Sequence, residues 1–219
     1  MKKIALIAAL DKERALIEQA LGEGRREDGY FVSSHGDLEV IVANSGIAKV
    51  NAAVCTTELI HRFHPDAVIN SGVAGGCGPA VKPLDVVAGK VCVYHDVWCL
   101  EPNAWGQVEG LPARFEADKT LLDKAVALGA RPVLICTGDI FATKPDVERI
   151  RTHFPEVEAV DMESAAIAQV CYLKKVPFLS LRVISDNADA ESNTGAYLDF
   201  WDRAPQATFR IVRALITSL

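Results

Sequence analysis

The chain has 219 residues, 50% of them hydrophobic and 24% charged, with a formal net charge of -6. That length supports one sizeable core and predicts a single domain over residues 1–219. The acidic balance and the scattered Lys and Arg exclude nucleic acid or an anionic membrane surface as the main partner, and no apolar run is long enough to span a bilayer.

The N-terminal "KIALIAAL" reads as a buried strand and "DKERALIEQAL" as a helix, Asp11 being the expected N-cap. The immediate passage from apolar to charged residues, with no cleavage-like site, predicts no signal peptide. "DLEVIVANSG" is the next strand and "KVNAAVCTTELIHRF" the next helix. "DAVINSGVAGG" predicts a strand running into a glycine turn, and "DVVAGKVCVYHDV" another strand. Residues 96 to 116, with two tryptophans, read as a long loop. "KTLLDKAVALG" is a helix and "RPVLICTGD" a strand. Residues 158 to 175, "EAVDMESAAIAQVCYLKK", are predicted to be helical, "VPFLSLRVISD" a strand, and a long C-terminal helix is expected from about residue 194. Near-continuous β-branched runs between helices predict an α/β fold whose central, mostly parallel mixed β-sheet is flanked by helices on both faces.

The six cysteines form no CxxC pair and lie mostly within apolar runs, as expected of structural thiols in a reducing cytoplasm. The five histidines make no ligand cluster: His61 and His64 fall a helical turn apart with no Cys or acid at ligand spacing, so no metal is expected.

Strand exits are where ligands collect in such sheets, and three carboxylates stand at or just after them. Glu13 falls three and four positions before Leu16 and Ile17, in line with the apolar face of its helix. Glu163 bears the same relation to Ala166 and Ile167. The helix macrodipole could account for either acid alone, but two acids aimed along faces that should be buried point to a site. Asp186 closes the strand "FLSLRVISD", with Asp189 three residues on as a rival turn or cap acid. Arg182, inside the same strand with apolar neighbours on both faces, needs a carboxylate or ligand partner, and Glu163 is a candidate. The glycine-rich "SGIAK" (45 to 49) and "SGVAGGCG" (71 to 78) let backbone approach a ligand. Neither is a dinucleotide or phosphate loop, so no nucleotide cofactor is implied.

Taken together, "IAALDKE", "NSGIAKVNAA", "PDAVINSGVAGG", "YHD", "CTGDIFA", "VDMESAAIAQVC" and "VPFLSLRVISDNAD" resemble the purine nucleoside phosphorylase and nucleosidase superfamily. The resemblance spans nearly the whole chain and is greatest to the 5′-methylthioadenosine/S-adenosylhomocysteine nucleosidases.

The resemblance implies hydrolysis of the bond between adenine and ribose, without cofactor or metal, water being the nucleophile. It implies Asp186 as general acid toward the purine, Glu13 as the base that activates water, and Glu163 as the carboxylate facing the ribose hydroxyls and the developing cation. Met162 would lie on the sugar, Phe141 would stack on adenine, Phe141 and Ala142 would read the purine edge through their backbone, and Ser71, Gly72 and Val73 would flank base and ribose. Leu10, Asp161 and Ser185 fall in the same motifs, and Arg182 would orient Glu163. In relatives the counterpart of residues 97 to 105 covers the 5′ group across a dimer interface, so the resemblance implies a homodimer, with Trp98 or Trp105 in that role. The 5′ substituent stays open among methylthio, homocysteinyl, deoxy and futalosine-type groups. A phosphorylase, a futalosine hydrolase or a non-catalytic nucleoside-binding relative is the alternative.

Overall fold

A computed structural model describes residues 2–190, 193–203 and 209–219. The first strand, β1 (Lys2–Ala8), is almost wholly buried and feeds helix α1 (Asp11–Leu21). Two strands without an expected counterpart follow, β2 (Arg25–Glu27) and β3 (Tyr30–His35). They are short and partly exposed, and they pair antiparallel as a hairpin at the sheet edge. Then come β4 (Leu38–Asn44), α2 (Lys49–Phe63), β5 (Ala67–Gly76) and β6 (Val86–Tyr94). The long loop after β6 ends in the two-residue β7 (Phe115–Glu116), which pairs with β6. Helix α3 (Lys119–Ala127) starts on Asp118, whose side chain accepts from the Leu121 N–H, and β8 (Arg131–Thr137) follows.

The next stretch corrects the sequence reading twice. Helix α4 (Lys144–His153) was not anticipated, although "TKPD" carries its signal: Asp146 accepts from the Thr143 N–H at 2.9 Å, and Pro145 stands in the first turn. Residues 158 to 161 are not helical. They belong to β9 (Val157–Asp161), which pairs parallel with β8 and antiparallel with the end of β5; only from Ser164 does α5 (Ser164–Lys174) begin. These cross-sheet hydrogen bonds outweigh a local pattern that suits either state. β10 (Phe178–Asn187) completes the sheet. In place of one long C-terminal helix, α6 (Asn193–Arg203) and α7 (Arg210–Ser218) stand on either side of residues 204 to 208, which lie outside the described residues.

The sheet order is β10-β6-β8-β9-β5-β1-β4-β3-β2, and β10 also pairs with β5. Strands β5, β10, β6, β8 and β9 therefore close into a ring, with β1, β4, β3 and β2 as an extension. The closure rests on antiparallel β10–β6 and β5–β9 contacts, while the long β5–β10, β6–β8 and β1–β4 pairings are parallel. Two consequences place the site. Gly72 of β5 and Arg182 of β10 are register partners. Beyond Val183 and Ile184 the register slips between Ile184 and Asp186, so Ser185, three residues past Arg182, is the extra residue of a bulge. A regular strand would send Ser185 and Asp186 to opposite faces; the bulge turns both into the same cavity. The expected glycine turn after "INS" is instead strand through Gly76.

Candidate active site

At the mouth of the ring lies a cavity of about 130 Å³, walled by the ends of β1, β4, β5, β8, β9 and β10, by the segments that leave them and by α6. Glu13, Glu163 and Asp186 all line it, and all three are buried. The cavity-lining residues among those described include no lysine or arginine.

Glu13 lies in the first turn of α1. The helix starts one residue earlier than Asp11 as cap would have it: Leu10 occupies the N-cap position, and Asp11 accepts instead from Asn44 Nδ2 at 2.7 Å. One Glu13 oxygen accepts from the N–H groups of Ala9 (3.1 Å) and Leu10 (2.9 Å), and the other from the Val73 N–H (2.9 Å). Burial pushes the Glu13 pKa up, against the pull of Arg182 and these backbone donors.

Glu163 sits at the N-cap position of α5. Its Oε1 accepts from the Ala48 N–H at 3.1 Å and its Oε2 from Arg182 Nη2 at 3.2 Å. Burial raises its pKa to about 7; Arg182 opposes that rise and Asp161 adds to it.

Arg182 is 1% exposed and stands behind the cavity wall rather than in it. Its shortest partner is not Glu163. Asp161 Oδ2 accepts from Nη2 at 2.6 Å. Asp161 is further held by Thr137 Oγ1 (2.6 Å) and by the Ser164 hydroxyl and amide. Ser164 Oγ in turn meets Asn70 Nδ2 (3.1 Å) and Ser180 Oγ (2.7 Å). Burial alone would lower the Arg182 pKa, but Asp161, Glu163 and Glu13 together raise it, so the guanidinium stays charged. Nothing local in the sequence marks Thr137, Ser164, Ser180 or Asn70 as members of this network, because five separate segments supply it.

Asp186 is 2% exposed. Ser185 Oγ donates to its Oδ1 at 2.6 Å and Asn193 Nδ2 to its Oδ2 at 3.2 Å, yet burial still raises its pKa. Asn193 also donates to the Ala142 carbonyl at 2.9 Å, tying the acid to the wall that holds Phe141 and Ala142. Asp189, the rival acid, pairs with Arg151 at 2.8 Å.

Of the remaining candidates, Leu10, Val73, Phe141, Ala142, Asp161, Met162 and Ser185 line the cavity, whereas Ser71, Gly72 and Arg182 stand behind it. Sequence reasoning missed Ile47 and Tyr197 in the lining, and Asn193. Tyr197 of α6 meets the Phe141 ring edge-on at 5.3 Å, and a polar residue soon after "ISD" is the only local hint of Asn193. Trp98 and Trp105 stack on each other outside the cavity, Trp105 also lying 4.0 Å from the His153 ring. Among the described residues no group of three metal-ligating side chains occurs.

Three carboxylates with differing partners, in a largely buried cleft beside an aromatic wall, can donate a proton, accept one and stabilise positive charge on a flat, polar-edged ligand. Comparison with known proteins agrees with that chemistry. Residues 3–217 match the model of the phosphorylase superfamily. The 5′-methylthioadenosine/S-adenosylhomocysteine nucleosidase of Lysinibacillus sphaericus is 39% identical over 99% of this chain and 100% of its own. The nucleosidase of Neisseria meningitidis, solved in complex with methylthio-immucillin-A, superposes with a TM-score of 0.90 at 36% identity over 100% of both chains. That of Colwellia psychrerythraea, solved with adenine, gives 0.88 at 33% identity, covering 98% of this chain and 94% of the other.

Proposed function

Because the chain belongs to the phosphorylase superfamily, we infer that its cleft hydrolyses the N-glycosidic bond of 5′-methylthioadenosine and S-adenosylhomocysteine, releasing adenine and the 5-thio-substituted ribose. The observation that carries the choice of water over phosphate is the charge of the wall. Four carboxylates line it, those of Glu13, Asp161, Glu163 and Asp186, and no lysine or arginine does among the described residues. Of the two cations flanking Glu13 in the chain, Arg14 faces Asp11 and Glu18, each at 3.5 Å, and the Lys12 ammonium lies over the Trp201 ring, 3.6 Å from its centroid.

The roles follow from the surroundings of each acid. The bond between ribose C1′ and the purine nitrogen breaks toward an oxocarbenium-like state, so a proton must reach the leaving base and an anion must face the sugar. Asp186, raised by burial and tied to the Phe141–Ala142 wall, delivers the proton to the purine. Glu13, locked by three N–H donors, orients the attacking water and takes its proton as the new C–O bond forms at C1′. Glu163, between the Ala48 N–H and Arg182, faces the ribose; growing positive charge on the sugar favours its ionised form.

In this reading the protein works in the cytoplasm as a homodimer. All six cysteines are free thiols, and no helix of the described residues is long and apolar enough to cross a membrane. Val50 and Val54, one turn apart on α2, and Trp98 and Leu100 of the long loop are large exposed apolar groups. The Lys49–Asp96 ion pair brings the two segments together, which suits them to a shared interface.

Incubation with 5′-methylthioadenosine, S-adenosylhomocysteine, 5′-deoxyadenosine and futalosine, with and without phosphate, tests the reading. Free sugar formed without phosphate supports it, and a sugar 1-phosphate formed only with phosphate refutes it. Asp186→Asn and Glu13→Gln are each expected to lower adenine release by at least about 100-fold; near-normal rates in either would remove the role given to that residue.

A further inference from the structure

Three charged side chains outside the cavity form a closed cluster. Lys49 opens α2 just after the exit of β4, Asp96 follows β6, and Asp139 follows β8. Lys49 Nζ meets both Asp96 oxygens (2.8 and 2.7 Å) and lies 3.6 Å from Asp139 Oδ2. The backbone repeats these links: the Lys49 N–H donates to Asp139 Oδ1 at 2.9 Å, and the Asp139 N–H to Asp96 Oδ2 at 3.0 Å. Three strand exits are thereby tied to one another.

None of the three residues lines the cavity, but their neighbours do: Ile47 on one side, Ile140, Phe141 and Ala142 on the other. Between Ile47 and Lys49, Ala48 holds φ 81° and ψ 166°, a conformation largely reserved for glycine. Such backbone persists only where its surroundings over-determine it. Here two successive N–H groups are held by two carboxylates: that of Ala48 by Glu163 and that of Lys49 by Asp139.

We propose that Lys49, Asp96 and Asp139 are a positioning clamp, which holds the strained Ala48 N–H on Glu163 and keeps the Phe141 wall in register with it. The cation is the keystone. Without it Asp96 and Asp139 face each other as like charges, the two exits part, and Ala48 relaxes away from Glu163. The clamp thus acts on the ribose-side carboxylate and the base-side wall at once, without touching substrate. Its kinetic consequence rests on the nucleosidase reading above; its structural one does not.

The test compares Lys49→Met, Lys49→Arg and Asp96→Ala. In Lys49→Met, kcat for adenine release is expected to fall about 10- to 100-fold, with KM changed less than about threefold and the thermal midpoint nearly kept. Arginine, which can bridge two carboxylates, is expected to restore most of kcat. Asp96→Ala is expected to lose kcat in the same way, and it serves if Lys49→Met does not fold. Amide exchange at Ala48 and Lys49 is expected to quicken in Lys49→Met and Asp96→Ala, whether or not the wild type turns over. Unchanged exchange at those amides overturns the clamp. So does kcat within twofold of wild type in both variants, or an arginine variant no better than the methionine one. Wild-type protein that releases no adenine would overturn the nucleosidase reading instead.

Discussion

Gly72→Ala should disable the site through a single methyl group. Gly72 faces Arg182 across the β5–β10 ladder, and the Glu13 carboxylate closes over its Cα. A Cβ built there lies 2.6 Å from Glu13 Oε1 and 2.8 Å from Arg182 Nη1. Ordinary contact needs about 3.5 Å, so the carboxylate must retreat by roughly 0.9 Å. It has little freedom to do so, being held by the N–H groups of Ala9, Leu10 and Val73, and Arg182 is held in turn by Asp161. Stretching one or two of those bonds should cost about 1–3 kcal/mol of stability. Misplacing Glu13 by nearly an ångström should lower kcat about 100-fold. Adenine release under saturating substrate reads the second effect, and urea unfolding reads the first. A variant with kcat within threefold of wild type would show that Glu13 need not stand where its three donors hold it.

Arg182→Met should destabilise the protein by about 3–5 kcal/mol, since it leaves Asp161 and Glu163 buried without their cation. The loss should be larger at pH 8 than at pH 5, where Glu163, its pKa raised by burial, takes up a proton more readily; a change under about 1 kcal/mol in urea melts would contradict the ion-pair assignment. Glu163 itself gives a pH signature. Its folded pKa, raised by burial to about 7, exceeds the unfolded value, so its stabilising contribution is full below about pH 4.5 and fades as pH rises through about 7. Between pH 5 and pH 8 the wild type should therefore lose roughly 2–3 kcal/mol more than Glu163→Gln, whose amide does not titrate. Parallel pH profiles for the two proteins would mean that Glu163 is not protonated on folding.

Much of the fold was legible in local pattern. Lys49–Phe63 was predicted residue for residue, because its apolar spacing, its C-terminal His61 and Arg62 and the following His-Pro all agree. The β-branched runs of β1, β4, β6 and β8 announce a sheet buried on both faces. The stretch "VEAVD" defeated the same logic. Five residues in front of a genuine helix carry no period of their own, and pairing with β8 and β5 made them a strand.

The site divides along the same line. A buried acid in the first turn of α1, another at the head of α5 and an arginine inside an apolar strand are anomalies of the sequence itself, since charge in an apolar context needs a partner wherever the chain folds. Which partner each receives was decided by tertiary structure alone. The β5–β10 register sets Arg182 against Gly72, closure of the ring brings Asp161 nearer to Arg182 than Glu163, and the bulge at Ser185 turns Asp186 into the cleft. Nothing in the sequence pairs Lys49, Asp96 and Asp139 with one another. They meet because the segment leaving β4 folds against those leaving β6 and β8, although β4 lies apart from them in the sheet, and hydrogen bonds and ion pairs act over a few ångströms of space whatever the distance along the chain.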